Sequence, residues 1–425
     1  MSSSITPFTE SRRRFGWHQL SRKVVLSQLK KLHAGELILV DGDERHLFGQ
    51  VGSDLRAELH IVDPQAYTSI LTGGSIGAAE AFMTGDWVTP DLTSLVQLLV
   101  RNMDILDQME GGVAALSSPF LKAFHRLNQN TEKGSRRNIA AHYDLGNDFF
   151  GLFLDPTMMY SAGIFPHADA TMAQASFHKL ETICRKLQLN SSDTVVEIGT
   201  GWGGFAIHAA KHYGCHVTTT TISDEQFKLA EQRISEEGLE DKISLLKQDY
   251  RTLEGTYDKL VSIEMIEAVG WKFYNTFFEK CASLLKEDGV MLVQAITIQD
   301  QRYEQAKRSV DFIQRYIFPG SCIPSVHALN TAAMKASDVR PVDQEDFAGH
   351  YARTLRAWLN AFKKNEGKVI EQGYSETFRR MWEFYLCYCE GGFKERAIGV
   401  SHLVYAKPRY LNEPYSLQAM GGNDE

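Results

Sequence analysis

The chain has 425 residues, 43% of them hydrophobic, 11% aromatic and 23% charged, with a formal net charge of -8 and a pI near 6.0. At about 150 residues per domain this length predicts two or three domains; the composition excludes wholesale disorder, and the acidic balance argues against bulk nucleic-acid binding. No apolar run approaches the roughly 18 residues of a membrane span and no secretory leader is read. The six cysteines lack zinc-type pair spacing, so reduced thiols, a cytoplasmic location and no metal site are expected.

In chain order, the first feature is the stretch RRRFGWHQLSRKVVLSQLKK at 12–31. It carries Arg12, Arg13, Arg14, Arg22, Lys23, Lys30 and Lys31 and no acid. Val25, Leu29 and Leu32 recur at helical spacing, behind Phe15, Trp17 and Leu20. Such a segment reads either as a basic amphipathic helix for an anionic membrane surface or as the first helix of a small domain with a solvated basic face. Residues 35–100 predict a small α/β module. GELILVDGDERHLFG suggests a hairpin turning at Asp41-Gly42, LRAELHIV a further strand, and 68–71, 76–83 and 91–101 helices. The polar, glycine-containing segment 111–137 reads as a linker, which makes 1–110 a small N-terminal domain and 138–410 a second one, with 411–425 a polar tail.

Beyond the linker strands alternate with helices. Strands are expected at 193–199, 215–222, 243–247, 260–263 and 290–298. Helices are expected at 203–212, stopping at Gly214, from Ser223 to Gly238, and at 273–285. This alternation predicts a parallel sheet with right-handed crossovers. Residues 299–395 break it and read as a mainly helical insertion, and HLVYAK is a last strand.

The strongest local signal is Glu197-Ile-Gly-Thr-Gly-Trp-Gly-Gly204, at a strand end and opening a helix. Gly199, Gly201 and Gly203 allow a tight turn and a close backbone approach to a ligand, with free N–H groups behind them. The string also fits the dinucleotide fingerprint. Two features favour S-adenosylmethionine instead: Glu197 lies inside the strand, where it can bond the cofactor's amino-acid end, and the next strand ends in threonines rather than in a ribose-binding acid. Ligands of open α/β sheets sit at the carboxyl ends of strands, here Thr221, Asp249-Tyr250 and 264–267. Gln226 fits either the pocket or a capping box with Ser223, and Tyr250 either an adenine stack or the core. Cys387 and Cys389 read more readily as core thiols than as nucleophiles.

At HYDLGNDFFGLFLDPTMMYSAG (142–163), EIGTGWGGFA (197–206), TISDEQ (221–226), QDYR (248–251), MIEAVG (265–270), RYIFPGSCIPS (315–325), HYARTLRAW (350–358) and YLCYCEGGF (385–393) the chain resembles the cyclopropane fatty acyl phospholipid synthase family. The N-terminal EAFMTGDW (80–87) resembles the longer bacterial members. The resemblance implies an α/β class I methyltransferase fold, Rossmann-like with a parallel-dominated sheet, a helical insertion at 299–395 for the acyl chain, and the smaller N-terminal α/β domain. It implies S-adenosylmethionine as cofactor, a cis double bond of a phospholipid acyl chain as substrate, peripheral attachment to the bilayer, and homodimers.

Carried over by position, the cofactor would be held by Tyr160, Ser161, Gly199, Thr200, Gly201, Gly203, Thr221, Gln226, Tyr250 and Arg251, alongside Glu197. The family binds a bicarbonate ion as base, and Glu267, Ile296 and Tyr351 match its surroundings. Two positions depart: Ala162 stands for a cysteine and Gln294 for a histidine. Cys389 matches a cysteine near the family's reaction site. Ala162 offers no polar side chain and Gln294 no positive charge, so bicarbonate is expected to bind weakly or not at all. Proton removal then falls to Glu267, to Tyr351 or to a water they hold, and the product is a methylated or methylene-branched chain. The alternative keeps the ion on Gln294 and backbone groups, with a cyclopropane product. Two other readings stay open: a methyltransferase of a soluble small molecule, and a non-catalytic lipid-binding relative. Tyr303, Phe312, Tyr316, Phe318, Trp358, Phe362, Trp382, Phe384 and Tyr385 suit either an acyl-chain channel or a helical core.

Overall fold

Two sheets organise the chain, each in its own compact unit. The computed structural model describes residues 8–110 and 145–413; the expected linker at 111–137 and all but the first residues of the polar tail lie outside the described residues.

The smaller unit is built on β1 (Glu36–Asp41), β2 (Glu44–Gly49), β3 (Arg56–Ile61) and β4 (Trp87–Val88), in the order β2-β1-β3-β4. The expected hairpin is present: β1 pairs antiparallel with β2 as far as Asp41 and Glu44, and Gly42 takes the positive φ of 60° that the tight turn demands. The two helices expected at 68–71 and 76–83 are one helix, Gln65–Thr84, broken at Gly74 (φ 58°, ψ -137°). Asp91 caps the helix Leu92–Arg101 by accepting from Ser94 N at 3.1 Å.

Helix Phe8–Leu29 carries the basic stretch and belongs to this unit. Taken whole it is not amphipathic, which corrects that expectation. A shorter stripe at i, i+4 spacing does run along it. Ser21 and Val25 are buried, while Trp17 and the neighbouring Leu20 are 63% and 51% exposed. Arg22 turns inward and forks between Asp41 and Glu44, each at 2.6 Å.

Segments distant in sequence complete the unit. Helix Glu376–Lys394 packs so closely on Leu92–Arg101 that a Cβ at Gly391 would lie 2.5 Å from Val96 Cγ1. The buried Glu390 accepts from the Thr93 hydroxyl at 3.0 Å. Phe312, from Ser309–Ile313, packs edge-on against Phe384 with ring centroids 4.7 Å apart. The stretch 299–395 is therefore divided between the two units rather than forming one insertion.

The larger unit holds β5 (Thr194–Ile198), β6 (His216–Thr220), β7 (Ile243–Leu246), β8 (Tyr257–Ile263), β9 (Leu285–Ile298), β10 (Arg340–Asp346) and β11 (Ile398–Ala406). Their order is β10-β11-β9-β8-β5-β6-β7, parallel from β9 through to β7, with β11 antiparallel to both of its neighbours. β5 is buried on both faces because helices cover the sheet: Val195 and Val196, pointing opposite ways, are both fully buried, and Glu197 is the one charged residue within it. Strand β10 lies within the stretch expected to be mainly helical and was not anticipated. Its sequence RPVDQED is polar and carries a proline because it is an edge, with a register shift at Pro341. The chain leaves β5 to build β6 on one side and later returns to build β8 on the other, which opens a crevice at the carboxyl end of β5.

Candidate active site

The glycine turn occupies that crevice. Gly199, Gly201 and Gly203 have φ of 101°, 53° and 86°, and helix Gly204–Tyr213 starts immediately behind them. Gly199 N and Thr200 N both donate to Thr220 O, at 3.1 and 3.0 Å, which ties the turn to the end of β6. A Cβ on Gly201 would meet nothing within 4 Å, so the turn faces open space that a ligand can fill while touching bare backbone. Glu197 is buried, and burial pushes its carboxyl up to about 8; the Thr219 hydroxyl donates to it at 2.6 Å and so favours the anion. A cationic amino-acid end would do the same. These features fit S-adenosylmethionine.

The neighbouring strand ends supply the rest. The Thr221 hydroxyl donates to Gln226 Oε1 at 2.8 Å, so Gln226 turns toward the strand end rather than closing a capping box; Ser223 caps the helix alone. Tyr250 is half-buried between Phe277 (5.8 Å between centroids) and the Arg251 guanidinium (5.7 Å), which forks onto Asp249 at 2.8 and 2.6 Å. Tyr250 thus packs on the core through Phe277, with the Arg251 guanidinium over its ring.

Tyr160 lies in an aromatic box. Its ring is 5.1 Å from Phe150, 5.3 Å from Trp358 and 6.4 Å from Phe318, and Tyr351 stands perpendicular to Trp358 at 6.2 Å. Trp358 is fully buried and its indole Nε1 has no acceptor. Ser161, the next residue, accepts from the buried Lys179 ammonium at 3.0 Å. Burial lowers Lys179 to about 8, while Glu264, Asp155 and Glu197 hold its charge.

Two carboxylates follow β8, Glu264 half-buried and Glu267 buried. Glu264 accepts from Ala162 N at 2.9 Å and from the Gln294 amide at 2.7 Å on Oε1, and from the Tyr351 hydroxyl at 2.6 Å on Oε2. Gln294 Oε1 in turn accepts from His402 Nε2 at 2.9 Å, so the proton of this buried, neutral imidazole sits on Nε2. Glu267 accepts from Ile296 N at 2.5 Å on Oε1, while its buried Oε2 has no partner. Burial and the nearby Glu264 push Glu267 up to about 8.

Of the residues expected around the base, Gln294 and Tyr351 meet on Glu264, and Ile296 alone meets Glu267. Glu264 falls among the strand-end positions 264–267 expected to face a ligand but was given no role of its own; Lys179 and His402 were not singled out from the sequence. Lys179 had a signal: it falls among Ser176, Leu180 and Ile183, the buried face of helix Met172–Lys186. Cys389 lies on helix Glu376–Lys394 in the smaller unit, half-buried, with its thiol raised by burial and by Asp311 and Cys387; a neutral thiol of that kind is not an activated nucleophile.

The model of the mycolic acid cyclopropane synthetase family matches residues 130–403. The chain belongs to this family. It is 35% identical over 335 residues to the tuberculostearic acid methyltransferase UfaA1 of Mycobacterium tuberculosis, covering 77% of this chain and 78% of that one. It is 34% identical over 354 residues to the cyclopropane-fatty-acyl-phospholipid synthase of Escherichia coli K12, covering 83% and 88%. The mycolic acid cyclopropane synthase CmaA1, solved with SAH and CTAB, superposes with a TM-score of 0.60 at 30% identity, over 64% of this chain and 98% of that one. The fold is that of class I methyltransferases, the enzyme is S-adenosylmethionine-dependent, and its family modifies lipid acyl chains.

Proposed function

We propose that the protein transfers the methyl carbon of S-adenosylmethionine to the cis double bond of an unsaturated acyl chain in a membrane phospholipid. The observation that carries this reading is the aromatic box of Tyr160, Phe318, Trp358 and Tyr351, set beside the carboxylate of Glu264 and in one unit with the glycine turn. When bound, S-adenosylmethionine supplies an electrophilic methyl group. An isolated alkene is a poor nucleophile, so the box must exclude water and hold it in line, and orientation then supplies much of the acceleration. The π faces of Tyr160 and Trp358 and the carboxylate behind Tyr351 favour the cation that alkylation leaves on the acyl chain.

The proposal includes peripheral attachment to the bilayer, and the exposed Trp17 and Leu20, with Lys23, Lys30 and Lys31 exposed further along the same segment, support it. Among the described residues no helix is long and apolar enough to cross a membrane. The test is mass spectrometry of phospholipids after expression in a host lacking such an enzyme. Monounsaturated acyl chains should gain about 14 mass units, one CH₂ from the cofactor. Unchanged acyl chains, with the protein folded and binding cofactor, would overturn the proposal.

A further inference from the structure

We propose that Glu264 is the proton acceptor of the reaction: a carboxylate of the chain itself stands where the resemblance places a free bicarbonate ion. The inference rests on the alkene-methylation reading above and says which group completes it.

The donors come first. Three groups converge on Glu264: the N–H of Ala162, the amide of Gln294 and the hydroxyl of Tyr351, at 2.9, 2.7 and 2.6 Å. These are the positions that the resemblance groups around the ion, and here each donor is already taken by a side-chain carboxylate. A bicarbonate ion at this place would lose those donors and face the negative charge of Glu264. The residues present therefore do not fit the ion.

The backbone carries a second, independent sign. Glu264 has φ of 50°, in the left-handed region that residues other than glycine seldom enter. Such a conformation persists where the surroundings over-determine it, and it concentrates at functional sites. Here the Glu264 N–H is tied to Gln294 O at 2.8 Å while its carboxylate is tied to Gln294's own side chain. The strained turn at the end of β8 is what aims the carboxylate at Ala162, next to Tyr160 and Ser161.

The chemistry is balanced between the two acids. A carboxylate has about four lone-pair sites, and Glu264 has filled two on Oε1 and one on Oε2, which leaves one on Oε2 for a proton. The charge of Glu264 acts on Glu267, and two carboxylates that repel one another do not both ionise readily. Glu264 accepts three hydrogen bonds and Glu267 accepts one, so the charge resides on Glu264 and Glu267 holds the proton. In the reaction a C–C bond forms between an alkene carbon and the methyl carbon as the S–C bond breaks, its electron pair staying on sulfur. A C–H bond of the resulting cation then breaks. Its electron pair closes a ring or forms a new double bond, and the proton passes to Oε2 of Glu264 and afterwards to solvent. No other reactant is needed.

The experiment uses the full-length protein with vesicles of cis-monounsaturated phospholipid in carbonate-depleted buffer. Wild-type turnover should be the same with and without added bicarbonate. Glu264→Gln should lower turnover by about 10²–10⁴-fold, the usual contribution of a general base, at unchanged cofactor affinity by calorimetry. Glu264→Gly suits the positive φ and opens the same donors to solution; its low turnover should rise on adding bicarbonate or formate. Wild-type activity that is lost in depleted buffer and restored by bicarbonate would overturn the proposal, as would full turnover by Glu264→Gln. A wild type that leaves the acyl chains unmodified under every condition would instead count against the alkene-methylation reading.

Discussion

The Gln294 amide nitrogen donates to the Glu264 carboxylate at 2.7 Å, and the same side chain's oxygen takes the His402 Nε2 proton at 2.9 Å. Gln294 thus orients a neutral imidazole and an anion at once, and being fully buried it has no water to replace either partner. Gln294→Leu leaves the His402 N–H unpartnered and removes one of three donors from Glu264. The expected cost is about 1–3 kcal/mol of stability for the stranded buried groups. With fewer hydrogen bonds to its charged form, Glu264 should also hold its proton to higher pH, so the acid limb of the kcat/KM profile should move upward. A variant that is less stable but keeps the wild-type acid limb would mark Gln294 as structural only.

How much of this was legible in the sequence follows from what each level of structure depends on. β5, the glycine turn and helix Gly204–Tyr213 are specified locally, by a β-branched run, by residues that need positive φ, and by the Gly214 stop, and all were read within a residue or two. The hairpin at Gly42 was legible for the same reason. β10 was not, because a polar edge strand has no apolar alternation to give it away. The union of helix Glu376–Lys394 with the N-terminal unit was not, because close packing such as that of Gly391 on Val96 leaves no periodic trace. At the site, Glu267, Gln294, Ile296 and Tyr351 came from a resemblance, whereas the carboxylate on which two of them converge did not. Topology alone placed Glu264 at a strand end facing the pocket, but its role rests on a backbone angle and on partners 30 to 102 residues away, neither of which its residue type announces.

Gly201 provides a separate test of the cofactor cradle. Its φ of 53° is costly for a β-branched residue, by about 1–2 kcal/mol, and the new side chain would project into the space in front of the turn. Gly201→Val should therefore weaken S-adenosylmethionine binding at least tenfold, read by calorimetry, with only a modest drop in melting temperature. Unchanged affinity would remove the turn from the cofactor site.

The membrane side of the proposal is best tested by point changes, because Ser21, Val25 and Leu32 are buried and truncation of the first helix would damage the unit. Trp17→Ser combined with Leu20→Ser removes two exposed apolar side chains while leaving the Arg22 fork to Asp41 and Glu44 in place. Binding to anionic vesicles should fall about tenfold or more, and salt should weaken what remains, since attraction of Lys23, Lys30 and Lys31 to the surface is screened. Cofactor affinity should not change. Equal vesicle binding by the variant and the wild type would make this helix a purely structural element.

The buried acids also set a pH dependence of stability. Glu197 and Glu267 each titrate near 8 in the folded protein, chiefly because burial penalises the charged form, against 4.5 for an unperturbed glutamate. Between those values the folded state binds more protons than the unfolded one, so their contribution is full at low pH and is lost as pH rises toward 8. Below about 6.5 the opposite trend enters: burial lowers His208 to about 4 and lowers His402 as well, and these groups favour folding as pH rises. Lys179, lowered to about 8, acts only above that value and again favours folding as pH rises. The two glutamates are therefore least opposed between about pH 6.5 and 8. At about 1.4 kcal/mol per unit for one fully shifted group, and less where Glu267 is coupled to Glu264, stability without cofactor should drop by about 2 kcal/mol across that window. Glu267→Gln cannot ionise, so it should remove roughly half of this slope. Urea midpoints measured at pH 6.5 and 8 for both proteins check it, and a wild-type midpoint that stays level or rises across the window would show that both carboxyls are already ionised in the folded protein.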